Sequence, residues 1–272
     1  VELDIKGWGC SNFYVLPVLI GQIPLTGLMH KYPFAGKIKE PGVGVGTMLL
    51  GTALALLIWM GIFVPSYFKF TLNGELMVGQ PFGTWISVVA WCQCFIFWFL
   101  IPAEGGELFP MKLISKKQPY MGLAGYAIAF VGAHITLRGL RIILNPLAVS
   151  LDMNINLVIA SFVLTLIVTM LTWHHHFYDF PSQELMPNTF KRTLSRILVW
   201  VVLGSILGVV WLKTYTYIPF AGNNFGLGYP MLGVLAGQFV FLMSGLFMNT
   251  FFDKWPVCFT EKAYDENKNE IA

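Results

Sequence analysis

The sequence predicts an all-α, polytopic membrane protein with seven transmembrane helices arranged as parallel two-helix repeats. Three observations predict it. Hydrophobic residues fill 56% of the 272 positions and charged residues only 11%, whereas an ordinary soluble domain carries roughly 25% charge. Seven long stretches contain no Asp, Glu, Lys or Arg. A short proline-ended pattern recurs four times, at matching ends of alternate stretches. The first observation excludes soluble globular, disordered and nucleic-acid-binding classes. The formal net charge of +3 is too small to argue for a polyanionic partner.

The charge-free runs are 7–29, 41–68, 76–103, 118–137, 153–178, 197–212 and 214–252. A helix rises 1.5 Å per residue, so the ~30 Å hydrocarbon layer takes about 17–25 residues. The run 197–212 is the shortest, and Arg196 and Lys213 extend its reach by snorkelling. The last run opens with Gly222, Asn223, Asn224, Gly226 and Gly228, which read as a loop, so its helix begins near Pro230. The predicted spans are 12–29, 43–65, 83–103, 119–137, 154–176, 196–213 and 230–252. They form one transmembrane domain over 1–256, followed by a hydrophilic tail at 257–272. The runs are apolar on both faces, which argues against a β-barrel, where polar and apolar residues alternate.

Lys and Arg in short loops set orientation. Lys6, Lys69, Arg138, Arg141 and Lys213 fall on one side, and the rest of the 17 fall on the other. This places the N-terminus outside and the C-terminal tail in the cytoplasm. Val1 in place of a start Met suits a processed outer N-terminus. Of the four cysteines, Cys92 and Cys94 point about 200° apart on one helix, and Cys10 and Cys258 fall on opposite sides of the membrane. No disulfide framework is implied, and the thiols read as small apolar residues.

The recurrent pattern is a titratable residue, any residue, a large apolar residue, then proline. Its copies are His30-Lys31-Tyr32-Pro33, Glu107-Leu108-Phe109-Pro110, Glu184-Leu185-Met186-Pro187 and Asp253-Lys254-Trp255-Pro256. Proline stops each odd-numbered span because it lacks a donor and clashes with the preceding turn. An aromatic ring sits well at headgroup depth. A unit with an even number of spans keeps its orientation, so the repeats are expected to run parallel. The fourth copy has no second helix in this sequence, so a longer chain or a neighbouring subunit is expected to fill that place.

The titratable element is what these needs leave unexplained, since a charge at a membrane boundary has to be wet or paired. Glu104, Glu107, Glu184, His30 and Asp253 are therefore the candidate lining of a substrate or proton pathway. Glu104 and Glu107 are three apart, so both carboxylates are expected on one helix face, with Gly105 and Gly106 loosening the helix. The richest polar run is Trp173-His174-His175-His176-Phe177-Tyr178-Asp179-Phe180-Pro181. If the helix continues, His174 shares a face with Tyr178, and His175 with Asp179. Imidazole with carboxylate suits zinc, copper or iron, so His174, His175, His176 and Asp179 are the candidate metal ligands.

Elsewhere, His134, Arg138 and Arg141 read as an outer-face cluster that either attracts anions or snorkels. Gln22, Gln93 and Gln238 need buried partners, and Gly204 and Gly208 have the small-xxx-small spacing of close helix contacts. There is no P-loop glycine pattern and no nucleophile elbow. The readings that follow are a transporter or channel for a small solute or ion, a membrane subunit of a metal-dependent oxidoreductase, or a structural subunit of a membrane assembly. The expected partners are the lipid bilayer and either further copies of the chain or other membrane subunits, with no nucleic acid.

Overall fold

The structure is a computed structural model that describes residues 14–39, 41–64, 71–72, 75–76, 83–217 and 230–251. Apart from one minimal hairpin, the described elements are helices. They are α1 (Val15–Ile23), α2 (Gly42–Ile58), α3 (Trp85–Ala103), α4 (Met111–Ile114), α5 (Tyr120–Ser150), α6 (Ile155–Phe177), α7 (Thr189–Thr214) and α8 (Pro230–Phe251). One π-helical turn extends α1 over Pro24–Leu28, and another extends α2 over Trp59–Phe63. The hairpin pairs β1 (Thr71–Leu72) with β2 (Glu75–Leu76), antiparallel, with Thr71 opposite Leu76.

Five helices are long and apolar enough to cross a membrane: Gly42–Phe63, Ile86–Ala103, Tyr120–Ser150, Ile155–Phe177 and Thr189–Tyr217. Val15–Leu28 is a shorter apolar helix. Two boundaries differ from the sequence reading. α5 runs on to Ser150 instead of stopping at 137, about 46 Å of helix. Charge does not end it: Arg138 and Arg141 lie on its exposed side, while Leu137, Leu144 and Ala148 continue the buried stripe. α7 starts at Thr189 instead of 196, because the Asn188 side chain caps it by accepting from the Lys191 amide at 3.0 Å. Arg192 and Arg196 therefore stand inside the helix.

Consecutive helices pack as α1–α2, α3–α5 and α6–α7, and the first members form a row, α1–α3–α6–α8. The row holds the core. Most of α3 and α6 is buried, while α2, α5 and α7 turn large apolar side chains outward. Lipid is as apolar as leucine, so close packing and interhelical hydrogen bonds hold such helices together. Small residues supply the closeness. A Cβ on Gly21 would stand 2.5 Å from the Gly51 carbonyl oxygen, and one on Gly204 would stand 2.8 Å from Leu166. Gln238 supplies the polar clamp. It donates to Ser161 O at 2.8 Å and to the Thr165 hydroxyl at 2.5 Å, and it accepts from the Ser161 hydroxyl at 3.0 Å. Interhelical bonds of this kind are worth about 0.6–1.7 kcal/mol. Cys92 and Cys94 are buried thiols, and Phe95, Phe97 and Phe99 pack in the core.

The ends of α1, α3 and α6 share a turn. Its first two residues are left-handed: His30 and Lys31, Glu107 and Leu108, Tyr178 and Asp179, with φ between 48° and 61°. An aromatic residue follows, whose amide donates to the carbonyl three residues back: Tyr32 to Met29, Phe109 to Gly106 and Phe180 to Phe177, at 2.9–3.1 Å. A proline comes next, joined in each case by a cis bond. The third copy is thus Tyr178-Asp179-Phe180-Pro181, and the assignment to Glu184–Pro187 is corrected: neither Glu184 nor Leu185 has a positive φ. The residue before the proline tells the two apart: it is aromatic in Phe180-Pro181, as in Tyr32-Pro33 and Phe109-Pro110, and is Met186 in the other. The fourth copy, 253–256, lies outside the described residues.

Candidate functional site

The site forms where α3 and α6 end and α7 begins. α3 stops at Ala103 because Glu104 is extended and Gly105 takes φ +60°. This turn separates the two acids, so the expectation of one shared helix face does not hold. Glu104 reaches His174 on α6, and Glu107 reaches Arg192 on α7.

His174 lies between two carboxylates. Its Nε2 is 2.9 Å from Glu104 Oε2, and its Nδ1 is 2.8 Å from Asp179 Oδ2. Ionised carboxylates only accept hydrogen bonds, so a ring that satisfies both donates from both nitrogens and is an imidazolium. The predicted pairing of His175 with Asp179 is replaced by that of His174 with Asp179. The cause is local: α6 ends at Phe177, and the left-handed Tyr178 and Asp179 fold the chain back over the last helical turn. The Trp173 indole closes the fold by donating to Phe180 O at 2.7 Å.

The second half of the site is a pair of arginines on α7. Arg192 is 2% exposed and Arg196 6%. Arg192 donates to Glu107 Oε1 from Nε at 2.6 Å and to Met186 O from Nη1, and its Nη2 is in ion-pair contact with the same carboxylate oxygen at 2.5 Å. Arg196 donates to Gly105 O at 2.6 Å and to Pro181 O at 2.8 Å, with Glu107 Oε1 3.7 Å away. One guanidinium thus bridges the turn after α3 to the turn after α6. Buried charges survive only when paired and hydrogen-bonded, and here three cations face three acids. The opposed charges make the cluster electrically balanced.

Sequence reasoning found Glu104, Glu107, His174 and Asp179, but assigned Arg192 and Arg196 only to loop charge and snorkelling. The available signal was their four-residue spacing, which puts both on one face of the helix. Trp200, one turn further and 0% exposed, continues that face. The structure brings neither His30 nor Glu184 into the cluster: both are exposed. Asp253 lies outside the described residues. His175 and His176 instead line a small cleft with Leu171, Thr172, Phe241, Leu242 and Gly245, between α6 and α8. No group of three or more His, Cys, Asp or Glu among the described residues is arranged to hold a metal ion. The set His174, His175, His176 and Asp179 is dispersed because successive helical residues turn by about 100°, and both His174 nitrogens are engaged by carboxylates. At the far end of α3, His134 Nδ1 lies 3.2 Å from the Trp91 indole nitrogen and 2.9 Å from Phe130 O.

The chain reads as a multi-pass helical membrane protein with an ion-paired cluster at one end of its two most buried helices. No protein-family model, no curated protein and no solved structure matches it.

Proposed function

We propose that this protein is a membrane transporter or channel for a small solute or ion, with its pathway passing the cluster of Glu104, Glu107, His174, Asp179, Arg192 and Arg196. One observation carries the reading: the two most buried apolar helices, α3 and α6, end together on the chain Glu104–His174–Asp179. Ionisable groups at a membrane boundary are expensive, and where they face a bundle interior they mark solute and proton routes. The cluster joins three helices through charge pairs, so a change of pairing there would move their ends relative to one another. The shared turn after α1, α3 and α6 supports two-helix units running in parallel, with pathway residues at their boundaries. The Lys and Arg distribution supports a cytoplasmic position for this end of the bundle, with the N-terminus outside.

The test is flux in liposomes holding the purified full chain. Rubidium, sodium, chloride, methylammonium, urea and glycerol are the probes. The expected result is transport of at least one probe above the level of empty liposomes, reduced at least tenfold by His174→Gln, with the variant's elution and helical content unchanged. Transport of none of them, or undiminished transport by a folded His174→Gln protein, refutes the reading.

A further inference from the structure

Lysines stand where each lipid-facing helix begins. Lys37 and Lys39 precede α2, Lys112, Lys116 and Lys117 precede α5, and Lys191 lies in the first turn of α7. These are the three long helices that turn their large apolar side chains outward. Two contacts join the three segments into one rim. The Gln118 amide donates to Leu28 O at 2.6 Å, and the Phe109 and Phe190 rings meet edge to face with centroids 5.7 Å apart. All six lysines but the half-buried Lys112 are exposed. None makes an ion pair among the described residues, and Lys37 lies 5.6 Å over the Tyr32 ring.

The acids that could oppose them are spent inward: Glu104 and Asp179 hold His174, and Glu107 holds Arg192. Glu184 stays exposed, and the sequence puts Glu40 beside Lys39. Six lysines against these two acids leave a clear positive excess. The four acids and two lysines of 257–272 are too few to cancel it. Large apolar side chains are exposed among the lysines: Ile38, Leu113, Ile114 and Phe190.

We infer that this rim binds the headgroups of anionic phospholipids. A lysine at a helix entry lays its stem on acyl chains and lifts its ammonium to the phosphates. Clustered juxtamembrane lysines add attraction to an anionic leaflet, and the neighbouring apolar side chains are covered by the same lipids. A soluble anion would be held by charge alone and would leave those side chains bare. Orientation by positive loops requires no lasting lipid preference, so the inference goes beyond it, and it holds whether or not the protein carries a solute.

The test reads which lipid lies beside the rim. A fluorophore is placed on Ala35→Cys, an exposed position, in the full chain cleared of its other cysteines and held in phosphatidylcholine liposomes. Nitroxide-labelled phosphatidylglycerol should quench it about threefold more than the same label on phosphatidylcholine at low salt. The preference should vanish in about half-molar sodium chloride, where charge is screened. It should also vanish in Lys37→Gln/Lys39→Gln/Lys116→Gln/Lys117→Gln, whose four sites are exposed, and persist in Lys213→Gln at the far end. Equal quenching by the two lipids, or a preference that survives the four substitutions, overturns the inference. A preference that emerges only when 257–272 is deleted assigns the rim to the tail and overturns it as well.

Discussion

Removing Glu107 tests whether the arginines of α7 are held by charge pairing. In Glu107→Ala, Arg192 loses its hydrogen bond and its ion-pair contact to Oε1 and keeps Met186 O and a 3.5 Å contact with the Thr189 hydroxyl. Arg192 is 2% exposed in the native protein, so a guanidinium left there without its carboxylate is poorly reached by water. Breaking a fully buried pair costs about 3–5 kcal/mol. The Glu107 side chain is 33% exposed, and screening lowers that figure. The expected loss is roughly 2–3 kcal/mol, with about half of it in Glu107→Gln, whose amide oxygen still accepts. Denaturation in mixed micelles, followed by tryptophan fluorescence, measures the loss. A double-mutant cycle with Arg192→Ala should return a coupling of about 2 kcal/mol, since the paired side chains are in direct contact. The exposed Glu184 is the control, and Glu184→Ala should stay within about 0.5 kcal/mol. A loss for Glu107→Ala no larger than for Glu184→Ala would refute the reasoning.

Other expectations follow from the packing and the orientation. Gln238→Leu breaks the clamp to Ser161 and Thr165 and should cost about 1–2 kcal/mol in the same micelle assay, because the Ser161 hydroxyl loses its acceptor. Gly204→Val places a Cβ 2.8 Å from Leu166 Cδ2 and 3.1 Å from its Cα, so α6 and α7 must separate; the expected loss is roughly 1–3 kcal/mol. Glu184→Cys, in a protein cleared of its other cysteines, should react with a membrane-impermeant maleimide in inverted vesicles and not in intact cells. Labelling in intact cells would reverse the orientation.

The helical membrane class was legible because lipid imposes a rule on composition: each crossing must be apolar over about 20 residues. Boundaries were less legible, because a charge at a helix edge does not say whether the helix stops. Arg138 and Arg141 lie on the exposed side of α5 and the helix passes them, whereas α3 stops at Ala103, directly before Glu104. The acids and the histidine of the site could be named from sequence, because such residues are rare in apolar runs. Their partners could not: Glu107 and Arg192 are 85 positions apart, and only the packing of α3, α6 and α7 joins them. Asp179 was assigned to the wrong histidine because helical periodicity was extended through Tyr178 and Asp179, both of which are left-handed.

Those left-handed residues explain why the recurrent pattern was hard to align. A non-glycine residue in this region costs roughly 1–2 kcal/mol, and persists only where its surroundings over-determine it. Each copy of the turn is held by long-range bonds from other parts of the chain. Gln118 donates to Leu28 O at 2.6 Å beside the first, Arg196 holds Gly105 O and Arg192 holds Glu107 in the second, and Arg196 holds Pro181 O with His174 on Asp179 in the third. What recurs is therefore a backbone shape, marked by the aromatic and the proline. The acid sits at the first left-handed position in one copy, Glu107, and at the second in another, Asp179. Aligning the copies on their titratable residues shifts the third by six positions, onto Glu184, which faces solvent. Aligning them on the aromatic–proline pair selects Asp179, whose carboxylate lies 2.8 Å from His174 Nδ1.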